Sequence, residues 1–295
     1  MFIVKGSEKL TEINQEFEKI IQDYKSNVAQ NLGYSNSYLQ KLEQLSQKAF
    51  DEGNFYISAE CLMKAANITY ENTQFIDKDN RMIAANKYDK ASKRFHSVNH
   101  YKEAAECIEK AADIYIQVGS LREAFKCYGL AKNYYGDNGD YDKCGEAYLK
   151  EMEWKRKYYL NIFVKNKKIS QKMGNLLRYL KYESFKWITG YGEKLRNLFV
   201  FSLAINLVFI VYYYFSNDVT VIGVNKENPF FVSKNESKLG YLYSCILFSL
   251  SLFSGFSTTP YLLIENNWIS VIEVVIGNLI LALFIAVVLR KVSRR

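Results

Sequence analysis

The sequence predicts an all-α chain in two unlike parts, a helical-repeat solenoid followed by a membrane domain of two transmembrane helices plus a re-entrant pore helix. Three observations predict it. Small and aromatic residues recur every 20 positions through the first half, two nearly charge-free apolar runs lie in the last hundred residues, and a basic stretch separates the halves. Only two of the 295 residues are proline, and none comes before Pro229, so nothing breaks helices in the first two thirds. The expected boundaries are 1–154 for the repeats, 155–196 for a basic amphipathic linker and 197–295 for the membrane domain.

The repeat is legible from four cuts, starting at Arg81, Tyr101, Leu121 and Tyr141. The fourth position of each is Ala84, Ala104, Ala124 and Cys144, the eighth is Tyr88, Ile108, Tyr128 and Tyr148, and the eleventh is Ala91, Ala111, Ala131 and Glu151. Positions four, eight and eleven share one face of a 3.6-residue helix. Small residues there let helices approach, and large ones fill the space between. Turn signals fall at Asp51-Glu52-Gly53-Asn54, Val118-Gly119-Ser120 and Gly136-Asp137-Asn138-Gly139-Asp140. Two units make an antiparallel helix pair, the building block of solenoids. A leading helix is expected over Leu10 to Ala29, with Ile13, Phe17, Ile20, Ile21 and Tyr24 on one side.

Between Lys155 and Arg196 the chain has twelve Lys and Arg against Glu183 and Glu193. This stretch and the basic tail account for most of the +8 net charge. Lys165, Lys167 and Lys168 in the linker, with Arg290 and Lys291 after the last helix, are the expected cytoplasmic flank, and membrane lipids are their expected partner rather than nucleic acid. No nucleophile with its base, metal-ligand cluster or phosphate loop is present, so an enzyme is not expected, nor a cofactor. His96 and His100 lack the further ligands a metal would need and are expected to be solvated. Cys107 and Cys127, with Cys61 in an earlier copy that starts at Phe55, share the seventh repeat position and are expected to be buried, reduced thiols. Lys5 and Glu8 interrupt any secretory signal core. Asn235-Glu236-Ser237 is a glycosylation sequon.

The first apolar run, Leu198 to Phe215, ends in Tyr212, Tyr213, Tyr214 and Phe215, read as an aromatic anchor at a membrane interface. The second, Ile269 to Leu289, holds one charge, Glu273. At 1.5 Å per residue they are about 27 and 31 Å long against a hydrocarbon core of about 30 Å. Leu239 to Leu252 is apolar but too short to cross. It is followed by Ser254-Gly255-Phe256-Ser257-Thr258-Thr259-Pro260, irregular backbone that survives at membrane depth only when buried in protein or facing a wet cavity. Basic residues on both outer flanks, against a balanced loop from Ser216 to Lys238, put both chain ends in the cytoplasm of a two-span protein in the cell membrane.

The segment from Tyr241 to Arg295 resembles the two-helix pore domain of potassium-channel-like proteins. The resemblance lies in the pore-helix stretch Tyr243 to Leu250, the filter-like Phe253, Ser254, Gly255, Phe256 and Ser257, and the inner-helix stretch Ile272 to Ala286. It implies a homotetramer with those five residues lining the constriction, Gly277 as the inner-helix hinge, Glu273 bracing the filter, and potassium as the permeant ion. Phe253 stands where the family has threonine, and Ser257 stands where it has its second glycine. The inner-site hydroxyl is therefore missing, and a serine must take a conformation that suits glycine. The sequences Ala104 to Ala112 and Glu123 to Ala131 resemble the tetratricopeptide-like repeats of soluble NSF attachment proteins, which implies a protein-binding surface for an unnamed partner. The expected function is an ion-channel subunit with a regulatory repeat domain. The alternative is a non-conducting, membrane-anchored scaffold.

Overall fold

The computed structural model describes residues 2–29, 36–71, 78–166, 168–216, 219–221, 238–255, 261–263 and 268–292. Among them are eleven helices: α1 (Phe2–Ala29), α2 (Asn36–Asp51), α3 (Phe55–Glu71), α4 (Lys78–Ser97), α5 (Tyr101–Gln117), α6 (Leu121–Asp137), α7 (Tyr141–Lys165), α8 (Ile169–Thr189), α9 (Leu195–Ser216), α10 (Lys238–Ser254) and α11 (Trp268–Val292). An expectation of helices alone missed one feature. β1 (Val219–Val221) and β2 (Tyr261–Leu263) form a short antiparallel pair, with Val219 opposite Leu263 and Val221 opposite Tyr261. The chain divides into two compact units, Met1–Leu180 and Lys181–Arg295.

In the first unit each helix from α2 to α7 packs on its chain neighbour. The alanines of the repeat are the reason. Ala59, Ala84, Ala91, Ala104, Ala111, Ala124 and Ala131 are fully buried, so backbones come close, and Tyr88, Ile108, Tyr115, Tyr128 and Tyr135 fill the gaps between them. A buried tyrosine needs a partner for its hydroxyl. Each finds one on an earlier helix: Tyr88 donates to Asn67, Tyr115 to Asn86 at 2.7 Å, Tyr128 to Asp113 and Tyr135 to Glu109 at 2.8 Å. Serines also bond across between helices: Ser92 donates to the carbonyl of Ala104 at 2.7 Å and Ser58 to that of Ser46 at 2.6 Å.

One turn recurs at the joins. A residue with positive φ follows the helix, and the next amide reaches the carbonyl five residues back: Asn54 to Ala49, His100 to Phe95, Ser120 to Tyr115 and Asp140 to Tyr135, all at 2.8–3.0 Å. Gly119 takes that φ at +80°, whereas Asn99 takes it at +61° without being glycine, which is why this join gave no turn signal in the sequence. α1 begins well before Leu10, and Ile13, Phe17 and Ile20 pack on Leu42, Leu45, Cys61 and Ile68 of α2 and α3.

The expected edge at residue 154 falls inside α7, which runs on to Lys165. Its cations are held by its own acids: Lys155 to Glu151 at 3.9 Å and Arg156 to Glu153 at 2.7 Å. Part of the expected linker is thus the end of the helical array. His96 and His100 are half-exposed and not free loop residues. His96 lies against Tyr134 with centroids 4.5 Å apart, and His100 against Tyr56 at 4.6 Å.

Two helices are long and apolar enough to cross a membrane, Leu195–Ser216 and Trp268–Leu289, and Lys238–Ser254 is a shorter apolar helix.

Burial pushes the thiols of Cys61, Cys107 and Cys127 from 9.0 up to about 12. In the unfolded chain they ionise from about 9, so folding favours the neutral form, and that stability is whole below pH 9 and lost between about 9 and 12. The melting temperature of the first unit should fall steadily over that window. At pH 8 a maleimide should modify the half-exposed Cys144 well before these three, and equal rates would show that the array opens.

Candidate functional site

The second unit is organised around a carboxyl group. Glu273, one turn into α11, is fully buried. The Tyr213 hydroxyl, near the end of α9, donates to its Oε2 at 2.8 Å, and the Ser249 hydroxyl on α10 donates to Oε1. Three helices therefore meet at one side chain. Burying a charged or polar group without partners costs several kcal/mol, so these two donors are what make the position tenable.

Tyr213 is therefore not the outward-facing anchor expected from its aromatic neighbours. Its ring is buried, with its centroid 5.1 Å from that of Phe248, while Phe215 stays exposed. Tyr241 donates to the carbonyl of Tyr213 at 3.3 Å, and Val219, Cys245 and Phe248 complete an apolar cluster. The helix period separates the roles, since Leu198, Asn206 and Tyr213 share the buried face of α9 and Phe199, Leu203, Leu207 and Val211 are exposed.

One turn beyond Glu273, Gly277 receives the end of α10. A Cβ built on Gly277 would lie 2.2 Å from the carbonyl oxygen of Phe253 and 3.0 Å from its Cα. No side chain fits there. Gly277 is the tenth residue of α11, about 14 Å from its start and roughly half-way along a span of about 30 Å. α10 therefore ends beside the interior of α11 and not at either of its ends. Gly255 follows it with φ at +72°, its amide reaching the Leu252 carbonyl at 3.2 Å, and Asn278 is its neighbour on α11. At the other end, the pairing of β1 and β2 ties the chain just after α9 to the chain just before α11.

Of the expected filter residues, Phe253, Ser254 and Gly255 lie together at this end of α10, with Ser254 exposed and the Phe253 carbonyl seated on Gly277. Phe256 and Ser257 lie outside the described residues, as do Pro260, the sequon at Asn235 and Lys167. Gly277 lies within a continuous α11, where its observed role is close packing. Lys165 and Lys168 are exposed, and Arg290 and Lys291 belong to the last turn of α11. Sequence reasoning missed three participants: Tyr213, Ser249 and Asn278. A signal existed for the first two, since a lone carboxylate in an apolar bundle requires donors and these are hydroxyls on the neighbouring helices.

The chain matches no protein-family model, no curated protein and no solved structure.

Replacing Gly277 by alanine should push the end of α10 away from α11 and cost about 1–3 kcal/mol, as overpacking does. The same chain with the exposed Leu279→Ala on the adjacent turn should melt in detergent close to wild type. A G277A protein as stable as L279A would mean that the close contact is not maintained.

Proposed function

We propose that the chain is the subunit of a homotetrameric membrane pore for monovalent cations, potassium foremost, whose helical array is a tetratricopeptide-like solenoid that binds a protein partner and biases opening. One observation carries this reading. A helix that begins on the side where α9 ends stops at Gly277, the tenth of the 25 residues of α11, and the chain is back beside β1 by residue 261. α10 read this way is a re-entrant helix between two spans, with Gly255 at its inner tip. Backbone that turns at such depth needs protein or water around it, and a pore supplies both.

Asn278 supports the same reading. It is a polar side chain about midway along an apolar helix, exposed in the single subunit and adjacent to Gly255. Polar groups in a span face the bundle interior or a wet path, so other copies of the chain are expected around it. Much of α11 outside the stripe of Glu273, Gly277, Ile280 and Val287 is exposed and available to neighbouring subunits and lipid. Both chain ends are read as cytoplasmic, on the side of the basic flanks.

In this pore Ser254 and Gly255 line the constriction, Glu273 braces it from behind through Tyr213 and Ser249, and Gly277 is the seat of α10 as well as the point about which α11 would bend. Phe253 is reassigned within the proposal: its carbonyl is turned to α11 and so is not among those that face an ion. That orientation, with no threonine at this position, is what favours the second reading, a membrane-anchored scaffold in which the bundle only holds subunits together.

Ser254 discriminates the two. In proteoliposomes, a charged thiol reagent should sharply reduce cation flux through Ser254→Cys protein and leave wild-type flux intact. Unchanged flux after complete labelling would remove this segment from the path. Absence of flux before labelling would favour the scaffold.

A further inference from the structure

α8 has two distinct sides. One packs on α7, where the Lys172 ammonium lies 5.1 Å from the Phe163 ring centroid, Arg178 lies 5.5 Å from that of Tyr159, and Arg156 of α7 lies 5.9 Å from that of Tyr179. The other carries Ile169, Met173 and Leu177, spaced by four residues along one line, and these are 82%, 54% and 62% exposed. Trp187, at the same angle as Ile169 five turns later, is 72% exposed. Single apolar residues on a surface need no explanation, but a row of them along one helix marks a surface that something covers.

The charges say what covers it. From Lys155 to Tyr182 the sequence contains no aspartate or glutamate, while Lys165, Lys168, Lys172, Arg178 and Lys181 are exposed. Lys172 and Lys181 lie about 80–100° to either side of Met173 around the helix, with Glu183 one turn before Trp187 and accepting from it at 3.0 Å, and an apolar stripe flanked by cations is complementary to an anionic bilayer surface, where the stripe enters the boundary of headgroups and chains and each cation near the surface adds attraction. Chain connectivity is compatible with that position. α8 ends in a fixed turn, with positive φ at Gly190, Tyr191 and Gly192 and the amides of Gly190 and Tyr191 bonded back to Lys186 and Phe185 at 2.9 and 3.2 Å, and the apolar α9 follows at once. A helix that stops this close to a span is within reach of the leaflet the span enters.

We propose that the Ile169, Met173 and Leu177 face of α8 lies in the surface of the leaflet that α9 enters, with anionic lipid headgroups against the exposed Lys172 and Lys181 at its two edges. This rests on α9 entering the bilayer and not on a conducting pore. Carbonate extraction of reconstituted vesicles reports the former separately, and a protein released by carbonate would overturn the proposal.

The test uses the full chain with Cys144→Ser, which leaves only buried thiols, and a polarity-sensitive fluorophore on Leu177→Cys or on the exposed Gln171→Cys of another face. In phosphatidylcholine bilayers containing phosphatidylserine, a lipid-borne quencher should dim the Leu177 label several-fold more than the Gln171 label, and aqueous iodide should do the reverse. Omitting phosphatidylserine should shrink that contrast several-fold. A Leu177 label as open to iodide as the Gln171 label would overturn the proposal. So would a label shielded from both quenchers, since protein, a second copy or a partner, would then cover the stripe. A contrast indifferent to phosphatidylserine would overturn the role given to the cations.

Discussion

A carboxyl group inside an apolar helix bundle limits everything near it, because it is tolerated only where hydroxyls or amides reach it from outside its own helix. Glu273 is such a group. Its two oxygens accept from Tyr213 on α9 and Ser249 on α10, so the three helices are held at one level by hydrogen bonds as well as by packing. From that level the rest follows by helix geometry. Gly277 lies one turn further on the same face of α11, and the carbonyl of Phe253 lies one turn further along α10 from Ser249, which brings the two into contact. The tip at Gly255 and its neighbour Asn278 are set by the same register. A helix bundle in lipid has little hydrophobic driving force between its members, so close packing at small residues and polar ties carry its specificity.

The helical array uses a related device. There the small residue is alanine, repeated every 20 positions, and the polar tie is a tyrosine hydroxyl that reaches an earlier helix while its ring fills the core. Hydrophobic burial supplies stability, and the hydroxyl acceptors set which face of each tyrosine-bearing helix turns inward.

Much of this was legible in the residues. The repeat could be cut from Ala84, Ala104, Ala124 and their aromatic partners because helix packing imposes a period that composition reveals. The two long apolar helices were legible for the same reason, since length and lack of charge are sufficient. The short helix at Leu239 was recognised as too short to cross. Other features were not legible. Tyr213 looked like its neighbours Tyr212 and Tyr214, and only the rotation of α9 separates the buried ring from the others. Gly277 read as a flexible point, whereas its contact with Phe253 depends on the approach of α10, which no local pattern encodes. The turn at Asn99 repeats those at Gly53, Gly119 and Gly139 with an asparagine in place of glycine, so a glycine search passes over it. The composition becomes basic at residue 155, whereas α7 continues to Lys165.

The proposed function requires the unit built around Glu273 to conduct cations. Flux from proteoliposomes of the purified chain, with potassium and sodium gradients compared side by side, tests it most directly. The account predicts flux of monovalent cations, potassium at least as fast as sodium, and its loss when Glu273 is replaced by alanine and the tie among the three helices is cut. No flux of either ion under any gradient, from protein shown to be inserted and assembled, would contradict it.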